Sequence, residues 1–255
     1  MSQPIITPVR FLGRDSLPPE AAGCSLALVA FCRFYDMVDK LSAEPLSESI
    51  CSHLDRSHQF VGQVGDTRVL ALECLYGGPL SATVIEELAH YGIKKVVGYG
   101  YAGSLTREIP VSQIVLADEA VVSDGTSREY LSGTQLAYPD RALANSFREC
   151  AARSSISVRG GKVWTTDAIY REYPEKVAVW RQAGAQVVNM DTAHFYAVSQ
   201  VVGTPAVYAC VVSDSVEGPV WDDGFDRIRQ AVGVLQGLLL DVLACIEDRE
   251  RGNVR

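Results

Sequence analysis

The chain has 255 residues, 47% hydrophobic and 21% charged, with a formal net charge of −8. That length suits one large α/β domain with a sizeable core, and the acidic balance excludes a general nucleic-acid or anionic-membrane binder, because both need cationic excess. Seven cysteines are scattered without a C-x-x-C pair, which reads as reduced thiols of a cytoplasmic protein.

Residues 1–23 are proline-rich and predict an irregular segment, with no basic-then-apolar leader. Residues 25–31 (SLALVAF) form a continuous apolar run suited to a central strand, and residues 68–75 form a second. Between them, residues 36–55 carry mixed helical signals. After Gly77-Gly78-Pro79, Ser81 is expected to cap a helix that ends at Gly92. Ala82, Ile85, Leu88 and Ala89 then share the inward face, with Glu86 and Glu87 near solvent.

Residues 94–105, KKVVGYGYAGSL, read as a buried strand opening into a tight glycine loop, the kind of strand end where α/β proteins bind ligands. Gly98, Gly100 and Gly103 satisfy G-x-G-x-x-G, but a dinucleotide site needs a helix to begin at the third glycine. Residues 105–115 contain Pro110 and lack a helical period, so that site is set aside.

A strand over 113–122 then leads to Asp124-Gly125-Thr126-Ser127. Residues 139–153 predict a helix, 154–163 a short strand and turn, 175–183 a helix and 186–190 a strand. The helix over 191–202 should turn Ala193, Ala197, Val198 and Val201 inward. Residues 206–212 are the last clear strand. A closing amphipathic helix over 225–248 contains the apolar stretch 231–246, which Gln236 and Asp241 interrupt, so it reads as a core helix. The alternation predicts a single α/β domain over residues 1–255, a central mixed sheet with helices on both faces.

Three separated blocks resemble the purine nucleoside phosphorylase and uridine phosphorylase superfamily. The first is Gly77-Gly78-Pro79-Leu80-Ser81 running into ATVIEEL. The second is GYAGSL within the glycine stretch, followed by Asp124-Gly125-Thr126-Ser127. The third is TTDAIYRE at 165–172, then GAQVVNMDTAHFYAV at 184–198, then VVSD at 211–214. The resemblance implies cleavage of a nucleoside's N-glycosidic bond through an oxocarbenium-like ribose, with the leaving base protonated or hydrogen-bonded.

On that resemblance Asp214 matches the aspartate that donates a proton to the base, a role that needs burial to raise its pKa. Met190 and Asp191 fall on the family's Met-Glu pair at the ribose, with a carboxylate one methylene shorter. Two readings of Asp191 stay open, a ribose acceptor and an N-cap for the helix that follows. His194, one turn on, reads as a satisfied core histidine. Ile169 replaces a phenylalanine that commonly stacks on the base, and Tyr170 reads as core. Tyr101, Ala102, Gly103 and Val188 complete the expected substrate site. The uridine branch has a glutamine and an arginine where this chain has Tyr173 and Glu175, so a purine-like base is favoured.

The acceptor departs from the family. Its Gly-Asp-Pro-x-Arg turn is replaced by Phe31-Cys32-Arg33-Phe34-Tyr35, and its second phosphate element falls on Gly98 and Tyr101. Arg33 and Gly78 are the remaining candidates for an anion site. Water is therefore preferred over phosphate as acceptor, with a phosphorylase, a non-catalytic nucleoside binder and an enzyme for a modified nucleoside as alternatives. No metal or cofactor is expected, phosphate being a co-substrate if the enzyme is a phosphorylase. The resemblance also implies a homo-oligomer, a dimer or hexamer.

Overall fold

A computed structural model describes residues 4–252, with side chains described through residue 247. The chain runs through α1 (Pro8–Leu12), β1 (Leu26–Ala30), α2 (Met37–Lys40), β2 (Glu44–Pro45), β3 (Gln59–Val64), β4 (Thr67–Leu72), α3 (Gly78–His90), β5 (Lys95–Ser104), β6 (Ile114–Val121), α4 (Gly125–Tyr130), β7 (Leu136–Ala137), α5 (Arg141–Arg153), β8 (Val158–Thr165), α6 (Pro174–Gln182), β9 (Val187–Asn189), α7 (Thr192–Val202), β10 (Ala206–Ser215), β11 (Asp222–Asp223) and α8 (Arg229–Gly252).

The strands join one mixed sheet in the order β11-β10-β6-β8-β9-β5-β1-β4-β3-β2, with β7 beside β6. β10 also pairs with β5 in parallel, so β5, β10, β6, β8 and β9 close into a ring. β1 is buried along all five residues because parallel strands lie on either side of it and helices cover both faces. One face packs on α3 and α7, through residues such as Ile85, Leu88, Phe195 and Val198. The other packs on α2, α5 and α8, through Met37, Phe147, Leu239 and Leu243. The mixed sheet with helices on both faces is the fold class expected from the sequence.

Several local expectations are corrected. The N-terminal segment is not wholly irregular: it holds α1 and a short turn of helix at Pro19–Ala21. Residues 36–55 hold only α2 and β2, and β3, which forms a hairpin with the expected strand β4, is an element that sequence reading missed. β5 continues past the expected end at 101 to Ser104, so Gly103 lies within the strand, as Gly98 and Gly100 do, rather than in a loop. Their need for glycine is steric.

Ser81 does not cap α3; Gly77, at φ +78°, precedes the first turn, and Pro79 sits where its missing N–H is harmless. Glu87 is buried and accepts from the Ser52 backbone N at 3.0 Å and from the Ser52 hydroxyl. Val201 faces solvent at 53% exposure. α8 begins at Arg229 rather than at 225 and is long and apolar enough to cross a membrane. Leu235, Leu238, Leu239, Val242, Leu243 and Ile246 are nonetheless buried in the protein core.

Candidate active site

The ring of strands leaves a cavity of about 550 Å³ at the ends of β5, β9 and β10. A local irregularity aims its central carboxylate. β10 pairs with β5 in register through Val212, after which Ser213 is skipped and Asp214 falls opposite Gly103. Such a bulge redirects a side chain at the end of a strand. A Cβ on Gly103 would lie 3.0 Å from Asp214 Oδ2, so the glycine is what lets the carboxylate lie over the neighbouring strand. Asp214 is half-buried. Its Oδ1 accepts from the Ser213 hydroxyl at 2.6 Å and its Oδ2 from the Trp221 indole N–H at 2.8 Å.

Asp191 enters the cavity from the start of α7. Its side chain makes no capping bond. Asn189 Oδ1 accepts from the Asp191 and Thr192 backbone N–H groups at 3.2 and 3.3 Å, and Thr165 Oγ1 accepts from Ala193 N at 2.9 Å. With the helix end satisfied by those two residues, the buried Asp191 carboxylate is free to accept from the Tyr208 hydroxyl at 2.9 Å. Burial raises the Asp191 carboxyl to about 7, and the Tyr208 bond opposes this.

Most of the residues assigned to the substrate or anion site from sequence converge here. Tyr101, Ala102, Gly103, Ile169, Val188, Met190, Asp191 and Asp214 all line the cavity. Met190 Sδ receives the Tyr76 hydroxyl at 3.4 Å. Ile169 is half-exposed at the rim, and Tyr170 is 92% exposed rather than core. Arg33 and Gly78, named as anion-site candidates, are outside the lining. Arg33 is exposed, while Gly78 is buried, and a Cβ there would strike Thr126 and approach His194. Tyr173 and Glu175 are outside the lining as well. His194 is fully buried with Nε2 donating to Met190 O at 2.6 Å, while Nδ1 lacks a partner; burial lowers its pKa.

Where an arginine would enter from β5, the space is filled by aromatic rings. A Cβ on Gly98 would lie 2.8 Å from Phe195 Cζ and 2.8 Å from Tyr208 Cδ2. A Cβ on Gly100 would strike the Tyr208 hydroxyl and lie 3.2 Å from Asp191 Oδ2. Phe31 closes this cluster, its ring centroid 5.9 Å from Phe195 and 5.7 Å from Tyr208 in edge-on geometry. No lysine or arginine lines the cavity among the described residues.

Sequence reading missed Glu172, Phe31, Tyr76, Trp221 and Phe225 as cavity residues. Glu172 is half-buried. Burial and then the neighbouring Asp214 raise its carboxyl to about 7. Phe225 meets Tyr101 edge-on at 5.9 Å. Away from the cavity, the ligand atoms of His58, Glu73 and Cys74 lie within 4.8 Å of one another. Their carboxylate already bonds His58 Nδ1 at 3.1 Å and the Phe34 backbone N–H.

A family model described as the phosphorylase superfamily matches residues 30–244. An uncharacterized protein of Acanthamoeba polyphaga mimivirus is 33% identical over 85% of this chain and 85% of its own length. A DeoD-type purine nucleoside phosphorylase of Caldanaerobacter subterraneus is 28% identical over 70% of this chain and 80% of that one. Among solved structures, a purine nucleoside phosphorylase from Toxoplasma gondii in complex with immucillin-H superposes with a TM-score of 0.80 at 16% identity, covering 94% of this chain and 98% of that one. The Campylobacter jejuni 5′-methylthioadenosine/S-adenosyl homocysteine nucleosidase superposes with a TM-score of 0.73 at 16% identity, covering 87% and 99%. At that identity the two structures speak to the fold.

Proposed function

This chain belongs to the phosphorylase superfamily, and from that premise we propose that it hydrolyses the N-glycosidic bond of a nucleoside with a purine-like base. The observation that carries the choice of water is the ring cluster of Phe31, Phe195 and Tyr208 standing where a cationic phosphate ligand would enter at Gly98. A phosphate dianion needs charged donors, each worth about 1.5–3 kcal/mol. The described lining offers three carboxylates, Asp191, Asp214 and Glu172, and no cation.

In this reading the C1′–N bond breaks with its electron pair leaving on the base, which takes a proton from Asp214. Water oxygen joins C1′ and its proton returns to the carboxylate, so nucleoside and water become free base and free sugar. Asp191 accepts from ribose hydroxyls and faces the positive charge that develops on the sugar. Met190 packs against the ribose, and Ala102, Gly103, Val188, Ile169 and Tyr101 shape the base pocket. Phosphorolysis is the competing reading, favoured by the activity named for the Caldanaerobacter relative.

The test is base release from a panel of purine and pyrimidine nucleosides, in phosphate-free buffer and in phosphate. Release at the same rate in both buffers is expected. Release only when phosphate is present contradicts hydrolysis. By the same family reading we propose a homo-oligomer, which light scattering after size-exclusion chromatography checks.

A further inference from the structure

The proposed reaction employs Asp214 at the base and Asp191 at the sugar, and it leaves the third carboxylate of the cavity unused. Glu172 follows the short helical turn Ile169–Arg171 and reaches the cavity beside Asp214. The three carboxylates differ in what they already hold. Asp191 is bonded by Tyr208, and Asp214 by Ser213 and Trp221. Glu172 accepts no hydrogen bond and forms no ion pair among the described contacts. The basic group acting on it is Lys176, which sits over the Trp164 ring at 5.7 Å and on the exposed side of α6.

A half-buried carboxylate next to a second one is costly unless a positive charge arrives to meet it. The walls suit such a charge. Tyr76, Tyr101, Tyr170, Trp221, Phe225 and Phe31 line the space, and a cation over an aromatic face gains attraction that rises as water is excluded. A neutral, hydroxyl-only nucleoside would leave Glu172 without a partner, and an anionic one would meet three carboxylates.

We propose that Glu172 anchors a positively charged substituent of the nucleoside, an amino group carried on its sugar or base. This deepens the reading of the site as a nucleoside site and rests on it. The experiment measures binding by calorimetry at pH 7 for adenosine, 5′-amino-5′-deoxyadenosine, 3′-amino-3′-deoxyadenosine and N6-(2-aminoethyl)adenosine, with wild type and Glu172→Gln. At least one amino nucleoside is expected to bind wild type about tenfold or more tighter than adenosine, the scale of one charged hydrogen bond. In Glu172→Gln, whose folding is verified by its thermal midpoint, that ratio is expected to fall to about one. Amino nucleosides no tighter than adenosine in wild type, or a preference that survives in Glu172→Gln, overturn the proposal. Adenosine cleavage in that event leaves the nucleosidase reading standing, whereas binding of none of the four nucleosides overturns both.

Discussion

At the scale of single residues, the proposed chemistry rests on carboxylates whose surroundings differ. Asp214 is held by two donors at a strand bulge, and on the proposed reaction Asp214→Asn keeps the shape but removes the transferable proton. Turnover is expected to fall about 10²–10⁴-fold while nucleoside binding persists, measured by steady-state kinetics and calorimetry on the same preparation. Asp191 gives a stability signature instead. Its folded carboxyl sits at about 7, raised by burial, whereas in the unfolded chain it titrates near 4. The folded state therefore holds a proton that the unfolded chain has released, so this group's contribution falls as pH rises from about 4 to about 7 and levels off above. Asp191→Asn is expected to melt at a higher temperature than wild type at pH 8, with the difference shrinking towards pH 5. A difference that does not change with pH would contradict this account. Asp191 also shows why a site residue can be half legible. Its place beside Met190 was readable, but its release from capping depends on Thr165, 28 residues before the amide it accepts from.

At the scale of elements, β5 carries the largest departure from expectation. Its strand runs three residues past the expected end at 101 and takes in Gly103, and its glycines leave out side chains where Phe195, Tyr208 and the Asp214 carboxylate lie. Periodicity cannot reveal this, because the space is claimed by rings from α7 and β10, about a hundred residues later. Gly98→Ala is expected to destabilise the protein by about 1–3 kcal/mol through overpacking, read from denaturant melts. Gly98→Arg should not confer phosphate dependence on base release. A stable Gly98→Arg protein whose turnover becomes phosphate-dependent would show that the ring cluster yields to a cation. Strand β3, which pairs with the expected β4, and the capped α4 escaped sequence reading for another reason: both are brief, and α4 is set by a local bond from Ser127 N to Asp124 Oδ1 at 2.8 Å rather than by an apolar face.

At the scale of the whole molecule, the separated motifs become one site because the sheet closes on itself. The glycine stretch, the TTDAIYRE block, the Met190-Asp191 pair and VVSD lie on or beside β5, β8, β9 and β10, and these are members of the closed ring. That is why the fold class and eight of the lining residues could be read from three blocks of sequence. Trp221 and Phe225 could not, since each sits in a connecting segment outside those blocks and joins the cavity only after closure, and Glu172, the last residue of the TTDAIYRE block, carried no signal that set it apart. On the proposed reading the acceptor is likewise a property of the assembled cavity, decided by which charges remain in it. The most direct test of hydrolysis is the identity of the sugar released from a cleaved purine nucleoside in 18O-labelled water with phosphate present. Free ribose carrying one labelled oxygen at C1 is the predicted product, and unlabelled ribose 1-phosphate would contradict the account.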